Sequence, residues 1–394
     1  MSTRRTTRDR IDHQRSLAID QANVVIIGGG IVGCAIAHAL SSRWDDVFVL
    51  EALPKVGMLT STRNSGVIHS GIYYPPGSLK ARHCVRGNQL AYEFCAAHGV
   101  PHHKIGKIVV ASSQEEVKEL TALMENGRAN GVEGLRIIDR AAIRAREPHV
   151  EGFAALEVPS TGILSSEDFV KTYARLATAQ GAHILNHAKV ERLEALPDAI
   201  RVTSAAGEIE TRCLVNSAGL FADDVATMLG SSMARHKIYP VRGEYCELVR
   251  SKQDWVRGLV YPLPHAQGLS LGTHLTKTLW GSVLVGPTAR YIEDKNDYES
   301  DREPVEDFAK SAKLLLPDIE PSDFVPAYSG IRPKLIPPSS PSVHAHGKGM
   351  ADFIIETDPE FPRVVQLMGI ESPGLTSAPA IAQHVAELVT GILA

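Results

Sequence analysis

Residues 23–51 constrain the fold more than any other stretch of the chain. Residues 23–27 are a short Val/Ile-rich run, the pattern of a strand buried on both faces. The run leads into Gly28-Gly29-Gly30-Ile31-Val32-Gly33, a G-x-G-x-x-G. A helix is expected over about 31–42 and a second strand over about 46–51, ending in the acid Glu51. Each part has a physical task. Gly28 permits a tight turn, Gly30 lets the backbone approach a pyrophosphate, and Gly33 lets helix and strand pack closely. Ile31 and Val32 open the helix, whose free N–H groups and positive dipole end face phosphates. Glu51 follows roughly twenty residues on, placed for ribose hydroxyls. Glycines alone would make only a structural turn. Strand, turn, helix, strand and acid in this order make a dinucleotide-binding unit. The motif does not choose between FAD and NAD.

The same stretch has a membrane reading that must be weighed. Five arginines precede residue 16, and residues 21–42 carry no Asp, Glu, Lys or Arg. An apolar run after a basic start resembles a signal segment or an anchor. The glycines, His38 and the split into a β-rich and an Ala-rich half argue instead for a buried strand–turn–helix. Residues 1–20 read as a disordered tail, and Asp9 and Asp12 weaken a mitochondrial presequence. The five cysteines have no C-x-x-C spacing, so reduced thiols in the cytoplasm are expected. With 41 Lys+Arg against 45 Asp+Glu, the chain lacks the basic excess of a nucleic-acid binder, and no nucleic-acid partner is expected. A length of 394 residues suggests two or three domains or one interleaved pair.

The next stretch is polar and glycine-rich where a nicotinamide domain would continue into helix and strand. It reads Asn64-Ser65-Gly66-Val67-Ile68-His69-Ser70-Gly71-Ile72-Tyr73-Tyr74, then Pro76-Gly77-Ser78-Leu79-Lys80-Ala81-Arg82. With these runs the chain resembles the FAD-dependent D-amino-acid-oxidase-like superfamily, and more narrowly its L-2-hydroxyglutarate dehydrogenase/oxidase branch. The resemblance spans about residue 22 to the end. It implies FAD as cofactor, held by Glu51 and Ala52, by Thr60, Ser61, Asn64, Ser65 and Gly66, by Val190 on a strand near the adenine, and by Ala218 and Gly219 near the pyrophosphate. It also implies a late strand over 364–367 running into Gly369, Ile370, Glu371, Ser372, Gly374, Leu375 and Thr376. The helix beginning there would lie under the flavin pyrimidine ring, where its N–H groups stabilise the negative charge of reduced flavin.

Oxidising an alcohol on flavin requires a carboxylate anchor, a base for the hydroxyl proton and a Cα–H aimed at flavin N5. The catalytic candidates are His69, His274 and Arg332. His69 lies in the loop that the resemblance places beside the flavin, as base or as positioning group; a structural His under the cofactor, or one covalently attached to it, are competing readings. His274 shares strand parity with Gly272 and Thr276 and would face substrate. Arg332, in Gly-Ile-Arg-Pro, would fork onto the substrate carboxylate. A dicarboxylate needs a second cation, and Lys80, Arg82, Arg242, Lys277 and Lys334 are open candidates. Tyr73, Tyr74, Tyr245 and Tyr261 could line the cavity. His102-His103 and His344-x-His346 lack partners at metal spacing, so no metal is expected.

The order of motifs implies interleaving. The expected fold is α/β, with a Rossmann-like FAD-binding domain from 21–85, 150–220 and 325–394. A mostly antiparallel-sheet substrate domain from 86–149 and 221–324 would roof it. The resemblance implies hydride transfer from a small anionic 2-hydroxy acid, above all L-2-hydroxyglutarate, giving 2-oxoglutarate. An electron acceptor (quinone, other carrier or oxygen) follows, and a peripheral membrane contact stays open. The rivals are an amine or amino-acid oxidase, a glycerol-3-phosphate dehydrogenase, and a non-catalytic flavin subunit. Two departures bear on the substrate. Residues 275–282 lack the acid that commonly precedes the Gly-Ser. The run G-I-E-S-P-G-L-T replaces one closer to N-A-P-S-P-A-A-T, and its Glu371 is expected to disfavour an anionic substrate tail.

Overall fold

The computed structural model describes residues 20–264, 273–338 and 350–394. The expected tail over 1–19, Gly272, and His344 with His346 lie outside these residues. Asp20, expected in the tail, already begins the first strand.

Two sheets organise the molecule. The first has eight strands. Its parallel part runs, in spatial order, Val364–Met368, Gly207–Asn216, Asp20–Ile27, Val47–Leu50 and His183–Leu185. Antiparallel strands Val190–Ala195, Ile200–Ser204 and Ile354–Thr357 extend it. The apolar run of the first strand is continuous because both faces are covered. Val24 and Ile26 pack on the helix side, with Cys34, Ile36, Phe169, Ile381 and Val385. Val25 and Ile27 pack on the other side, with Leu193, Val202, Val225 and Leu229. The helices Ile31–Ser41, Leu79–His98, Ser166–Ala179 and Gly374–Leu393 form that first covering layer.

Among the described residues the second sheet has nine strands, and all of its strand pairs but one are antiparallel. The exception joins Leu259–Pro262 to Lys107–Ala111 in parallel. Its longest pairing is Tyr239–Leu248 with Phe324–Lys334. The strands Ala154–Val158 and Phe324–Lys334 belong to this sheet, while the helix Leu79–His98 packs on the first layer. The chain is therefore woven more finely than the boundaries at 85, 150 and 325 describe. Period-2 apolar runs look alike in either sheet, so which sheet a strand joins depends on long-range pairing. A further helix spans Val117–Ala129.

Candidate active site

A cavity of about 810 Å³ runs between the two sheets. Its lining takes in Glu51, Ala52, Lys189 and Val190, and also His69, His274 and Arg332. It further includes Gly28, Gly30, Ile31, Val32, Thr60, Ser61, Asn64, Ser65, Ala218 and Gly219, with Ile370, Glu371, Ser372, Gly374 and Leu375.

The cradle is built from close backbone approach. Gly28 has φ +102°, and a Cβ there would stand 2.7 Å from the Ser217 carbonyl oxygen. A Cβ on Gly33 would stand 2.0 Å from the Gly28 oxygen, so the helix and the turn meet with no room for a methyl group. The Ile31 N–H at the helix start donates to Ser61 Oγ at 2.9 Å. Glu51 is buried and accepts from Gly29 N at 2.7 Å and Leu53 N at 2.8 Å, one bond on each carboxylate oxygen. Each oxygen keeps a lone pair for a hydroxyl. A cavity lined by the glycine turn, a buried acid and a helix start fits a dinucleotide cofactor.

Four of the expected cofactor residues do not line the cavity. A Cβ on Gly33 would meet the turn, on Gly66 the Leu164 carbonyl at 2.5 Å, and on Gly369 the Leu335 side chain at 2.5 Å. Thr376 Oγ1 donates to the Val67 oxygen at 3.2 Å and accepts from His69 N at 2.9 Å. These residues hold the walls. Gly71 likewise packs against Val85, away from the cavity.

His69 is buried. Its Nε2 lies 3.4 Å from Ser372 Oγ, and its carbonyl accepts from Asn88 at 2.8 Å. Burial first, and the Lys107 charge second, lower its pKa to about 3, so the imidazole is neutral. His274 lies flat on Tyr261, with ring centroids 3.5 Å apart and planes 7° apart. Arg332 Nη1 donates to the Thr288 oxygen at 3.2 Å. A Cβ on Gly243 would stand 2.6 Å from that Nη1, so Gly243 makes room for the guanidinium. A glycine inside a strand carries that signal in sequence, and it went unread.

Of the candidate second cations, Lys80 and Lys334 line the cavity. Arg82, Arg242 and Lys277 do not; Arg242 is fully buried on Glu244 and the Asp297 carbonyl. Both lining lysines sit on Glu371, Lys80 Nζ at 3.0 Å from Oε1 and Lys334 Nζ at 3.0 Å from Oε2. Burial alone would raise the Glu371 pKa, but the two lysines outweigh it and hold the carboxyl near about 2. Glu371 therefore does not face the cavity as a lone carboxylate, since two lysines offset its charge. Tyr74, Tyr245 and Tyr261 also line the cavity, while Tyr73 stands behind it over Lys107. Among the described residues there is no cluster of three metal-ligating side chains.

Residues 23–388 match the family model described as FAD dependent oxidoreductase. The chain is 36% identical to L-2-hydroxyglutarate dehydrogenase, mitochondrial, of Arabidopsis thaliana, over 94% of this chain and 84% of that one. It is 32% identical to L-2-hydroxyglutarate dehydrogenase of Indibacter alkaliphilus, over 92% and 98%. Among solved structures, the fold superposes on L-alpha-glycerophosphate oxidase from Mycoplasma pneumoniae with FAD bound. That match has TM-score 0.84, 26% identity, and coverage of 94% and 95%. Glycine oxidase from Geobacillus kaustophilus has the same fold at TM-score 0.78 and 21% identity, covering 94% of this chain and 95% of its own.

Proposed function

This chain belongs to the FAD dependent oxidoreductase family, in its L-2-hydroxyglutarate dehydrogenase branch, and on that premise we propose that it oxidises L-2-hydroxyglutarate to 2-oxoglutarate. The observation that carries the substrate is Arg332 on one wall of the FAD cavity, with the cluster of Lys80, Glu371 and Lys334, in which lysines outnumber the acid, on the same cavity.

Bound FAD supplies the two-electron acceptor for the Cα–H. Arg332 binds the C1 carboxylate through its planar fork and fixes which face of Cα is presented. The hydroxyl proton leaves to one of the two cavity imidazoles, His69 or His274. Tyr261 holds the His274 ring in plane, and Ser372 and Thr376 fix the His69 loop. Gly28, Gly30, Ile31, Val32, Glu51, Ala52, Ser61, Val190, Ala218 and Gly219 are the proposed cofactor contacts. The cytoplasm is the proposed location, supported by five free, buried cysteines. Among the described residues no helix is long and apolar enough to cross a membrane.

A second reading has its own support. The structural likeness to L-alpha-glycerophosphate oxidase suits a phosphate-tailed alcohol. One experiment separates the two: anaerobic titration of the yellow holoprotein with 2-hydroxy acids, amino acids and glycerol phosphate, following loss of flavin colour. Bleaching by L-2-hydroxyglutarate is expected. Bleaching by glycerol phosphate or an amino acid alone would replace this reading. In the same assay Arg332→Lys should raise the half-saturating substrate concentration at least about tenfold, because an ammonium cannot make the paired bonds. His69→Gln and His274→Gln then identify the base, as the variant whose flavin reduction loses its pH dependence.

A further inference from the structure

The strand Phe324–Lys334 points Arg332 and Lys334 to one face, since side chains two apart share a face. Both line the cavity. Two residues along a strand span about 6.5–7 Å. The end carbons of an extended five-carbon diacid are about 5 Å apart, from C–C bonds of about 1.5 Å. Side chains on that strand face can therefore grip both ends of one such molecule.

Lys334 comes with a built setting. Lys80, from the first turn of the helix Leu79–His98, is 2% exposed, and Glu371, just before the last helix, is 9% exposed. Glu371 takes one bond from each lysine, and each ammonium has three protons to donate. Lys80 Nζ also lies 5.3 Å from the Phe353 ring centre. A further acid, Asp352, acts on Lys80 from behind the wall: it caps the helix by accepting from Leu79 N and Lys80 N, and it does not line the cavity. On the cavity wall itself two lysines share one carboxylate, so ammonium protons remain for an anion in the cavity to accept.

We propose that Lys80, Glu371 and Lys334 form the distal-anion subsite, which receives the second carboxylate of a 2-hydroxydiacid whose C1 carboxylate lies on Arg332. It rests on the 2-hydroxy-acid reading above and names how that site selects its donor. Glu371 offsets lysine charge in the subsite, which favours a carboxylate over a phosphate dianion. Selection is then read between a diacid and the monoacid that lacks only the distal carboxylate.

The test uses FAD-loaded wild type, Lys334→Met, Lys334→Arg and Glu371→Gln, each titrated anaerobically with L-2-hydroxyglutarate, L-2-hydroxybutyrate and glycerol phosphate. The wild type is expected to prefer the diacid over the monoacid. Lys334→Met should lower that preference about ten- to a hundredfold, the effect of losing a charge-assisted bond. Lys334→Arg should keep most of it. Glu371→Gln should raise the response to glycerol phosphate relative to the diacid. Equal losses for diacid and monoacid in Lys334→Met, or a changed flavin spectrum in that variant, would overturn the subsite and assign the cluster to the cofactor or the fold. A wild type bleached by neither 2-hydroxy acid would overturn the underlying reading, and the subsite with it. Should Lys334→Met not retain FAD, wild type alone decides. Glutarate must then perturb the flavin spectrum at lower concentration than butyrate, and equal affinities would sink the proposal.

Discussion

Lys107 is a charge where the fold offers it no ordinary home. It is fully buried, and the described residues give its ammonium no hydrogen-bond acceptor. It lies 4.6 Å from the Tyr73 ring centre and 4.7 Å from that of Tyr261. Two ring faces return part of the lost hydration, about 2 kcal/mol or more at a desolvated site. Burial still pulls its pKa from 10.5 down to about 7, with Cys84 opposing. Below the folded value both states hold the proton, and the full cost of burying the charge is present. From there up to the unfolded value the unfolded chain keeps a proton that the folded chain has released, so the cost declines as pH rises. Lys107→Met is accordingly expected to melt above wild type at about pH 6, with a smaller gain at about pH 9. Holoprotein melting curves at both pH values check this, and a gain that grows with pH would mean that a partner holds the charge. Sequence reading carried Arg332, His69 and His274 because each sits in a motif whose chemistry is local. It passed over Lys107, because a lysine opening an apolar strand looks like a solvated end. Long-range pairing on both sides, with Leu259–Pro262 and with Ala154–Val158, buries it.

At the scale of elements, the decisive contact is one helix on another. The helix Leu79–His98 crosses the start of Gly374–Leu393 at Gly87. A Cβ on Gly87 would stand 2.3 Å from the Thr376 oxygen and 2.8 Å from Ser377 Cα. Those are backbone atoms and cannot rotate away. Thr376 in turn holds Val67 and His69, so a shift there moves the loop beside the cavity. Gly87→Ala should reduce retained FAD and lower the melting midpoint. Gly391 lies near the far end of the last helix, and a Cβ there would meet nothing within 4 Å. Gly391→Ala should leave FAD content unchanged and stabilise by up to about 1 kcal/mol, from helix propensity alone. Absorbance at the flavin band per protein, with melting curves, reads both variants. A Gly87→Ala protein that is as yellow and as stable as wild type would mean the helices slide apart freely. The strand–turn–helix at residues 23–51 was legible because its neighbours in sequence are its neighbours in space. Gly87 was not, since its partner lies almost three hundred residues away.

The whole molecule is held by weaving rather than by a hinge. The first sheet takes strands from 20–50, 183–216 and 354–368, and the second from 107–158, 239–291 and 324–334. Neither sheet can form from one continuous piece of chain. Separate apolar clusters lie on the faces of each sheet, and the cavity lies where the two layers meet. A dinucleotide there touches both layers at once and stabilises the folded form by mass action, about 2.7 kcal/mol at a hundred times its dissociation constant. Removing FAD should therefore lower the melting midpoint by a few degrees, and added FAD should restore it in proportion to the logarithm of its concentration. Because both sheets are discontinuous, the apoprotein should still unfold in one cooperative step. Calorimetry of apo and holo forms checks both statements. Two resolved transitions in the apoprotein would mean that each layer is stable alone and that the cofactor, not the weave, joins them. A midpoint indifferent to FAD would mean that the cavity is not where the cofactor binds.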